Sequence, residues 1–416
     1  MIRVAVLVDL EWRPTAGGHV KCWERLAAAA VRRDDIDLTV HFSGKEEQVH
    51  QLAPHVRYIV HKPVFSTARL PFLSHVPDHT DLAPYHWGLA GLLRGAQVIH
   101  TTDGFFNFAK TALTVSRRAG IPLTNSIHTD TPAYTEVFTA RTIERLFGTG
   151  WLTRLLLDRF KIHERARDKA ARNLARHQAG CCHILVSRSD EYQRARAVQP
   201  QERIGMLRRG IETEVFDPAR RDRKWLATVY GVPENRTVVM YAGRMNRGKS
   251  VMGLAESVRT RLEAGDDLHL LCAGEGEERQ AVAGLLADRA SCPGAVPADE
   301  VARMMASADL FAFPSEIEVN ANVPMEAQAS GLATLVAERG ASAKAVLDGE
   351  TGLVLPGSAV IWAEALHELI ADPKRRAAMG QAARAHALAD FPSWDHVLAE
   401  DLMPVWRAAV GDERGS

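Results

Sequence analysis

TVVMYAGRMNRGKSVMGLAESVRTRLEAGDDLHLLCAGEG, Thr237 to Gly276, contains one full turn of the pattern that decides the fold. An apolar run (TVVMYA) ends in a glycine-containing turn, passes into a stretch of helical period (SVMGLAESVRTRLEAG), and returns to a second apolar run (HLLCAGEG). Unbroken apolar runs mark strands buried on both faces, and their alternation with helices is the sequence form of βαβ units in a parallel sheet. The class is therefore α/β.

The alternation continues outward from this stretch. Downstream come LFAFPS, ATLVAER and TGLVLP, and upstream lie expected strands at Arg3 to Leu7, Leu38 to Phe42, Val56 to Val60, Gln97 to Thr101, Pro122 to Ser126 and His183 to Ser187. Those six complete one doubly wound sheet. The polar, proline-containing passage RRGIETEVFDPARRDRK (Arg208 to Lys224) separates the two runs, which places a joint near residues 205 to 220. The expected division is 1–208, 209–392 and a last helix, 393–416, left over after the second sheet. Ligands of open α/β sheets sit outside the carboxyl ends of the strands, so two such domains facing one another would hold a cleft between their strand ends.

Composition narrows the function. The chain has 416 residues, 46% of them hydrophobic and 25% charged, which excludes disorder. Lys plus Arg and Asp plus Glu both total 51, so the electrostatic footprint of a dedicated nucleic-acid binder is missing. Cys22, Cys181, Cys182, Cys272 and Cys292 form an odd set without a CxxC pair, which argues against a disulfide framework and a structural zinc, and suits a reducing cytoplasm. The N-terminal apolar run is stopped by Asp9 and Glu11, and no stretch reaches the roughly 18 apolar residues of a membrane span.

Gly243 to Ser250, GRMNRGKS, matches the P-loop string GxxxxGK[ST] between a strand and a helix. A P-loop hydrolase also needs an Asp for Mg²⁺ at the end of a second strand, and HLLCAGEG and LFAFPSE supply none. What remains is a diphosphate site: a glycine turn before a helix N-terminus, with Arg244 and Lys249 adding charge. The glycines of AGEGEER form a tight strand-to-helix turn, since Arg279 stands where a dinucleotide fingerprint needs a third glycine.

The most specific segment is FPSEIEVNANVPMEAQASG, Phe313 to Gly331, in which Glu318 and Glu326 are separated by seven intervening residues after a strand and a Pro-Ser turn. A carboxylate can accept two hydrogen bonds from a cis-diol, and a helix start between the two glutamates aims N–H groups at a diphosphate. With Pro314, Ser315, Ala327, Ala329 and Gly331, this segment resembles the family 4 retaining glycosyltransferases of GT-B fold, two Rossmann-like domains facing across a cleft. GRMNRGK, AGEGEER, the Pro293-Gly294 turn, GIETEVFDP and GETGLVLP follow in the family's order.

The resemblance implies a retaining transfer of a hexose from a UDP- or GDP-sugar to an acceptor hydroxyl, with no metal and no further cofactor. It implies donor contacts at Gly18, Gly243, Arg244, Lys249, Gly294, Glu318, Asn320, Ala321, Asn322, Val323 and Glu326. Glu326 would hold the ribose, Glu318 and His128 would meet the sugar, and Arg244 and Lys249 would grip the diphosphate. Gly17, Asp130 and Tyr134 would face the acceptor, and the last helix would return to the first domain. The chain departs from the family at Val319, Asn320 and Ala321, where an aromatic residue and a glycine are usual, and at Gly248, which replaces a glutamate.

HTDTPAY (His128 to Tyr134) and RRGIETEVFDP resemble the branch holding the sulfoquinovosyldiacylglycerol synthases, which implies a lipid acceptor. From Thr139 to His177, Trp151, Leu152, Leu155, Leu156 and Phe160 recur at helical spacing beside Arg154, Arg159, Lys161, Arg165, Arg167 and Lys169. Such a stretch can lie on the anionic inner face of a cell membrane, or form an ordinary surface helix. The alternatives to a transferase are a P-loop hydrolase and a non-catalytic sugar-nucleotide-binding protein.

Overall fold

The computed structural model describes residues 1–13, 16–70, 80–128, 130–148, 150–316 and 322–411. Glu318, Asn320 and Ala321 lie outside them. The chain forms two compact units, one of residues 1–208 together with 394 onward, the other of residues 209–393.

The first unit is built on a sheet of eight strands among the described residues: β1 (Ile2–Glu11), β2 (Ile36–Ser43), β3 (Gln48–Ala53), β4 (Val56–His61), β5 (Val98–Thr101), β6 (Leu123–Ser126), β7 (His183–Val186) and β8 (Ile204–Met206). Their spatial order is β3-β4-β2-β1-β5-β6-β7-β8. Successive side chains of a strand point to opposite faces. Val4, Val6 and Val8 of β1 accordingly enter one cluster with Trp23, Leu26 and Trp406, while Ala5 and Leu7 enter another with Leu89 and Phe108. Both faces are covered, which is why β1 reads as a continuous apolar run.

Two strands lie beyond the six expected. β3, QVHQLA, pairs antiparallel with β4 at the sheet edge and buries no residue, so it lacks the apolar run that marked the others. β8 has only three residues.

The second unit carries β9 (Thr237–Ala242), β10 (Leu268–Ala273), β11 (Ala290–Gly294), β12 (Leu310–Phe313), β13 (Ala333–Ala337) and β14 (Gly352–Leu355), in the order β11-β10-β9-β12-β13-β14, all parallel. β11, ASCPG, is the strand that the sequence reading took for a turn. It sits at the edge, where a proline is tolerated because the ladder can do without its missing N–H.

The segment from Trp394 onward belongs to the first unit. Trp394, Val397, Leu398, Leu402, Met403 and Trp406 are buried in the cluster that holds Val4 and Val6. Asp401, midway along it, anchors the segment, accepting from the backbone N–H of Arg208 at 2.8 Å and from the Arg208 guanidinium. No helix among the described residues is long and apolar enough to cross a membrane.

Candidate functional site

In a doubly wound sheet the connections leave in opposite directions from one point, and the carboxyl-end loops part there to make a crevice. In the second unit the chain runs from β9 outward through β10 to β11, then returns to the other side of β9 as β12. The switch point lies between β9 and β12. Arg244 and Lys249 follow β9, and Glu326 lies in the helix Asn322–Ala329 that follows β12. Residues quoted from two distant motifs are thus carried by the two connections that flank one crevice.

The loops after β9, β10 and β11 are knitted by their backbones. Gly243 N–H donates to Ala273 O (2.9 Å), Gly274 N–H to Gly294 O (2.8 Å), and Met245 N–H to Glu275 O (2.8 Å). Gly274 has φ +150°, and a Cβ there would stand 1.9 Å from Gly243 O. Only glycine permits that approach.

Several amides of GRMNRGKS are consumed in this knitting. Besides Gly243 and Met245, Lys249 N–H donates to Asn246 O (2.8 Å) and Ser250 N–H to Arg247 O (3.3 Å). A P-loop turns its amides to the phosphates. The string is here folded inward through a 3₁₀ turn, Arg247–Lys249, and the long helix starts only at Val251. The P-loop hydrolase reading is corrected on this ground. The side chains of Arg244 and Lys249, both half-buried, carry the positive charge.

Glu326 is buried, with 8% of its surface exposed, and its carbonyl accepts from Ser330 N and Oγ, both at 3.0 Å. Asn322 and Val323 open the same helix and are half-buried, and Ser315, just after β12, is fully buried. Gly294 closes β11 with φ +90°.

In the first unit the switch point falls between β1 and β5. Gly17 caps the helix Gly18–Val31 that follows β1. The next residue of that helix, His19, stacks on His128, which follows β6: the ring centroids are 4.4 Å apart and the planes 2° from parallel. His128 is nearly buried and its Nε2 lies 2.7 Å from Ser126 Oγ. Neither His19 nor Ser126 stood out in the sequence, because each precedes or follows a better-known position by one or two residues.

Asp130 and Tyr134 do not share this environment. Asp130 caps the helix Thr131–Phe147, accepting from Ala133 N–H at 3.3 Å, and pairs with Arg188 (3.1 Å) and Arg194 (3.3 Å). Burial works to raise its pKa, but the Arg194 charge, the Ala133 amide and the bonds from both arginines outweigh it and hold the carboxyl below its usual value. Its carboxylate is committed to holding the helix. Tyr134 stacks on Phe138 one turn on, with centroids 5.8 Å apart.

Two polar clusters were not legible. Asp9 ends the buried part of β1 and accepts from Phe108 N–H at 3.0 Å; burial, then the nearby Asp103 carboxylate, pushes its pKa well up. Asp81 accepts from the amides of Val64, Phe65 and Ala83 and from Asn107 Nδ2. Separately, Glu47, His61 and His86 bring potential metal-ligating atoms within 4.8 Å of one another. His86, however, accepts from Leu89 N–H through Nδ1 (3.1 Å) and meets Lys62 O through Nε2 (3.2 Å), so both ring nitrogens serve the backbone. His61 is hydrogen-bonded to His41 at 2.9 Å, and burial lowers its pKa to about 4. The cluster is a histidine hydrogen-bond network that ties β2 and β4 to the loop before the helix Trp87–Leu93.

Residues 223–386, less than half of the chain and all inside the second unit, match the family described as Glycosyl transferases group 1. Arg244, Lys249, Gly294 and Glu326 all fall within the matched stretch. Alpha-maltose-1-phosphate synthase of Mycolicibacterium smegmatis is 31% identical over 240 residues, which cover 53% of this chain and 60% of that protein. The chain spans about half to three-fifths of the length of the curated relatives that it matches.

Among solved structures, sucrose-phosphate synthase from Thermosynechococcus elongatus superposes with a TM-score of 0.69 at 17% identity, covering 99% of this chain and all of that one. Anabaena Alr3699/HepE in complex with UDP-glucose superposes with a TM-score of 0.63 at 17% identity, with full coverage of both chains. The fold is GT-B. The matched relative's name is not that of the sulfoquinovosyldiacylglycerol branch that His128–Tyr134 resembles. Short motifs at a strand end and at a joint answer local backbone demands and carry little about substrate.

Proposed function

We propose that the protein is a retaining glycosyltransferase that moves a hexose from a nucleotide diphosphate sugar to an acceptor hydroxyl. The observation that carries this reading is the placement of Arg244, Lys249 and Glu326 on the two connections that leave the switch point between β9 and β12, inside the stretch that matches the group 1 family. Charge develops on the leaving diphosphate as the glycosidic bond breaks, and fixed cations in a partly buried site stabilise it without reorganising. Arg244 and Lys249 fill that role, and the Glu326 carboxylate accepts the paired ribose hydroxyls. In the retaining route the acceptor hydroxyl attacks the face from which the diphosphate leaves, a diphosphate oxygen takes its proton, and no protein nucleophile is needed. Glu318, Asn320 and Ala321 stay in the proposal as donor contacts, and Gly17 and Gly18 as the turn that lets the first unit's backbone come close.

The solved complex of Alr3699/HepE supports UDP-glucose as the first donor to try. Thermal-shift measurements with UDP-, GDP- and ADP-sugars, with and without EDTA, test the reading, because a ligand that binds only the native state raises the midpoint. A UDP-sugar should raise it equally in EDTA, and UDP should be released on adding an acceptor. Donor binding without any UDP release would instead mark a non-catalytic binding protein.

The acceptor is proposed to lie at a membrane surface. The helices Thr131–Phe147, Trp151–Arg154 and Ile162–Ala179, with a π-helical turn over Leu155–Arg159, leave Leu146, Phe147, Trp151 and Phe160 exposed, Trp151 by 76%. The turn LLLDR buries no residue at all. Arg145, Arg154, Arg159, Lys161 and Arg165 are exposed around them, against Glu144 and Asp158. An apolar ridge edged by cations suits an anionic lipid surface. Co-sedimentation with phosphatidylglycerol vesicles, lost in Trp151→Glu and absent with phosphatidylcholine alone, is the expected result. A second reading is favoured by the names of the two synthases, both given for a phosphorylated disaccharide: a soluble sugar phosphate acceptor. Partition of transferred label into the aqueous phase would select it.

A further inference from the structure

We propose that the indole N–H of Trp406 sets the direction of a buried hydrogen-bond chain, through His100 and Ser126, that fixes His128 with its proton on Nδ1. The links are continuous: Trp406 Nε1 to His100 Nδ1 at 3.3 Å, and then two shorter ones, His100 Nε2 to Ser126 Oγ at 2.8 Å and Ser126 Oγ to His128 Nε2 at 2.7 Å. Trp406, His100 and Ser126 are all fully buried.

The direction follows from the chemistry of the groups. An indole nitrogen only donates, so His100 Nδ1 must accept. Burial keeps His100 neutral, its pKa pushed down to about 3. A neutral imidazole that accepts at Nδ1 carries its proton on Nε2, and His100 therefore donates to Ser126 Oγ. Thr124 Oγ1, 2.8 Å from His100 Nδ1, must then be a second donor there, because turning its proton to Ile99 O at 3.4 Å would set lone pair against lone pair. Ser126 then has one proton to give, and His128 Nε2 is the acceptor at hand. Were Ser126 to accept from both rings, its own proton would be left unbonded in a dry interior, which is costly. His128 Nε2 thus accepts, and the ring's proton sits on Nδ1.

Trp406, His100 and Ser126 are positioning residues; none is a catalytic one. The inference rests on the reading of His128 as a contact of the transferred sugar, and deepens it: through Nδ1 His128 gives a hydrogen bond to a sugar oxygen and cannot take a proton there. It also gives the return of the C-terminal segment to the first unit a use, which is to deliver the indole.

Long-range ¹H–¹⁵N spectra of the full chain labelled in its histidines distinguish the two neutral tautomers directly. The expected result is a His128 with its proton on Nδ1. Ser126→Ala removes the hydroxyl donor and should shift His128 toward the Nε2–H form; Ser126→Thr should restore Nδ1–H. Trp406→Phe keeps the ring in the core but frees the direction, and should give a mixture of both forms. With UDP-glucose as donor, Ser126→Ala should lower kcat roughly tenfold, the worth of one hydrogen bond, with KM nearly unchanged. A His128 found with its proton on Nε2, or unmoved in Ser126→Ala and Trp406→Phe, overturns the chain. The expected tautomers combined with unaltered transfer in Ser126→Ala would uphold the chain and overturn the role of His128 at the sugar.

Discussion

Single residues of the second unit are proposed to do distinct work at the donor: Arg244 and Lys249 at the diphosphate, the buried Glu326 at the ribose. Arg244→Ala and Lys249→Ala each remove a group aimed at charge that grows only as the donor breaks, so each should lower kcat, by about 10²–10³ as for other such donors. Glu326→Ala should instead weaken binding of UDP, read by titration calorimetry, while turnover of bound donor falls less. Asp9 gives a prediction of a different kind. Burial and then the Asp103 charge raise its pKa in the folded protein, so its favourable contribution is full below the unfolded value of about 3.9 and is lost as pH rises through the folded one. Asp9→Asn keeps an acceptor for Phe108 N–H, removes that loss, and should raise the thermal midpoint more at pH 7 than at pH 4. An Asp9→Asn protein equally stabilised at both pH values would contradict this. Arg244, Lys249 and Glu326 could be named as candidates from the sequence because each lies in a short contiguous motif. Asp9, His19, His100 and Ser126 were not, because their meaning lies in contacts between strand ends far apart in sequence.

Among elements, legibility followed burial. β1, β9, β10 and β13 are buried on both faces, and their apolar runs are plain in the sequence. β3 and β11 sit at sheet edges, where one side of the backbone is unpaired and the residues are chosen for other reasons, and neither was read as a strand. The loops after β9, β10 and β11 act as one element because their amides bond across to each other. Gly274→Ala would put a methyl against Gly243 O and force both loops apart, so it should lower the midpoint and abolish the donor-induced shift together. The C-terminal segment is likewise an element of the first unit's core. Leu402→Ala should cost about 2–5 kcal/mol, read by urea unfolding, because Leu402 is wholly buried with Trp23 and Val6.

For the molecule as a whole, the alternation of runs foretold two parallel-sheet units, and the structure adds the order of the strands, from which the switch points follow. Those points lie where the sequence could not place them, since strand order is set by which edges meet and not by any one segment. They put the candidate donor groups of the second unit on two neighbouring connections, and bring His19 and His128 together in the first. Hydrogen–deuterium exchange with and without UDP-glucose tests this placement most directly. The account predicts slower exchange over residues 243–250 and 322–329, diminished in Lys249→Ala. Protection confined to other parts of the chain, with both of those connections unaffected, would contradict it.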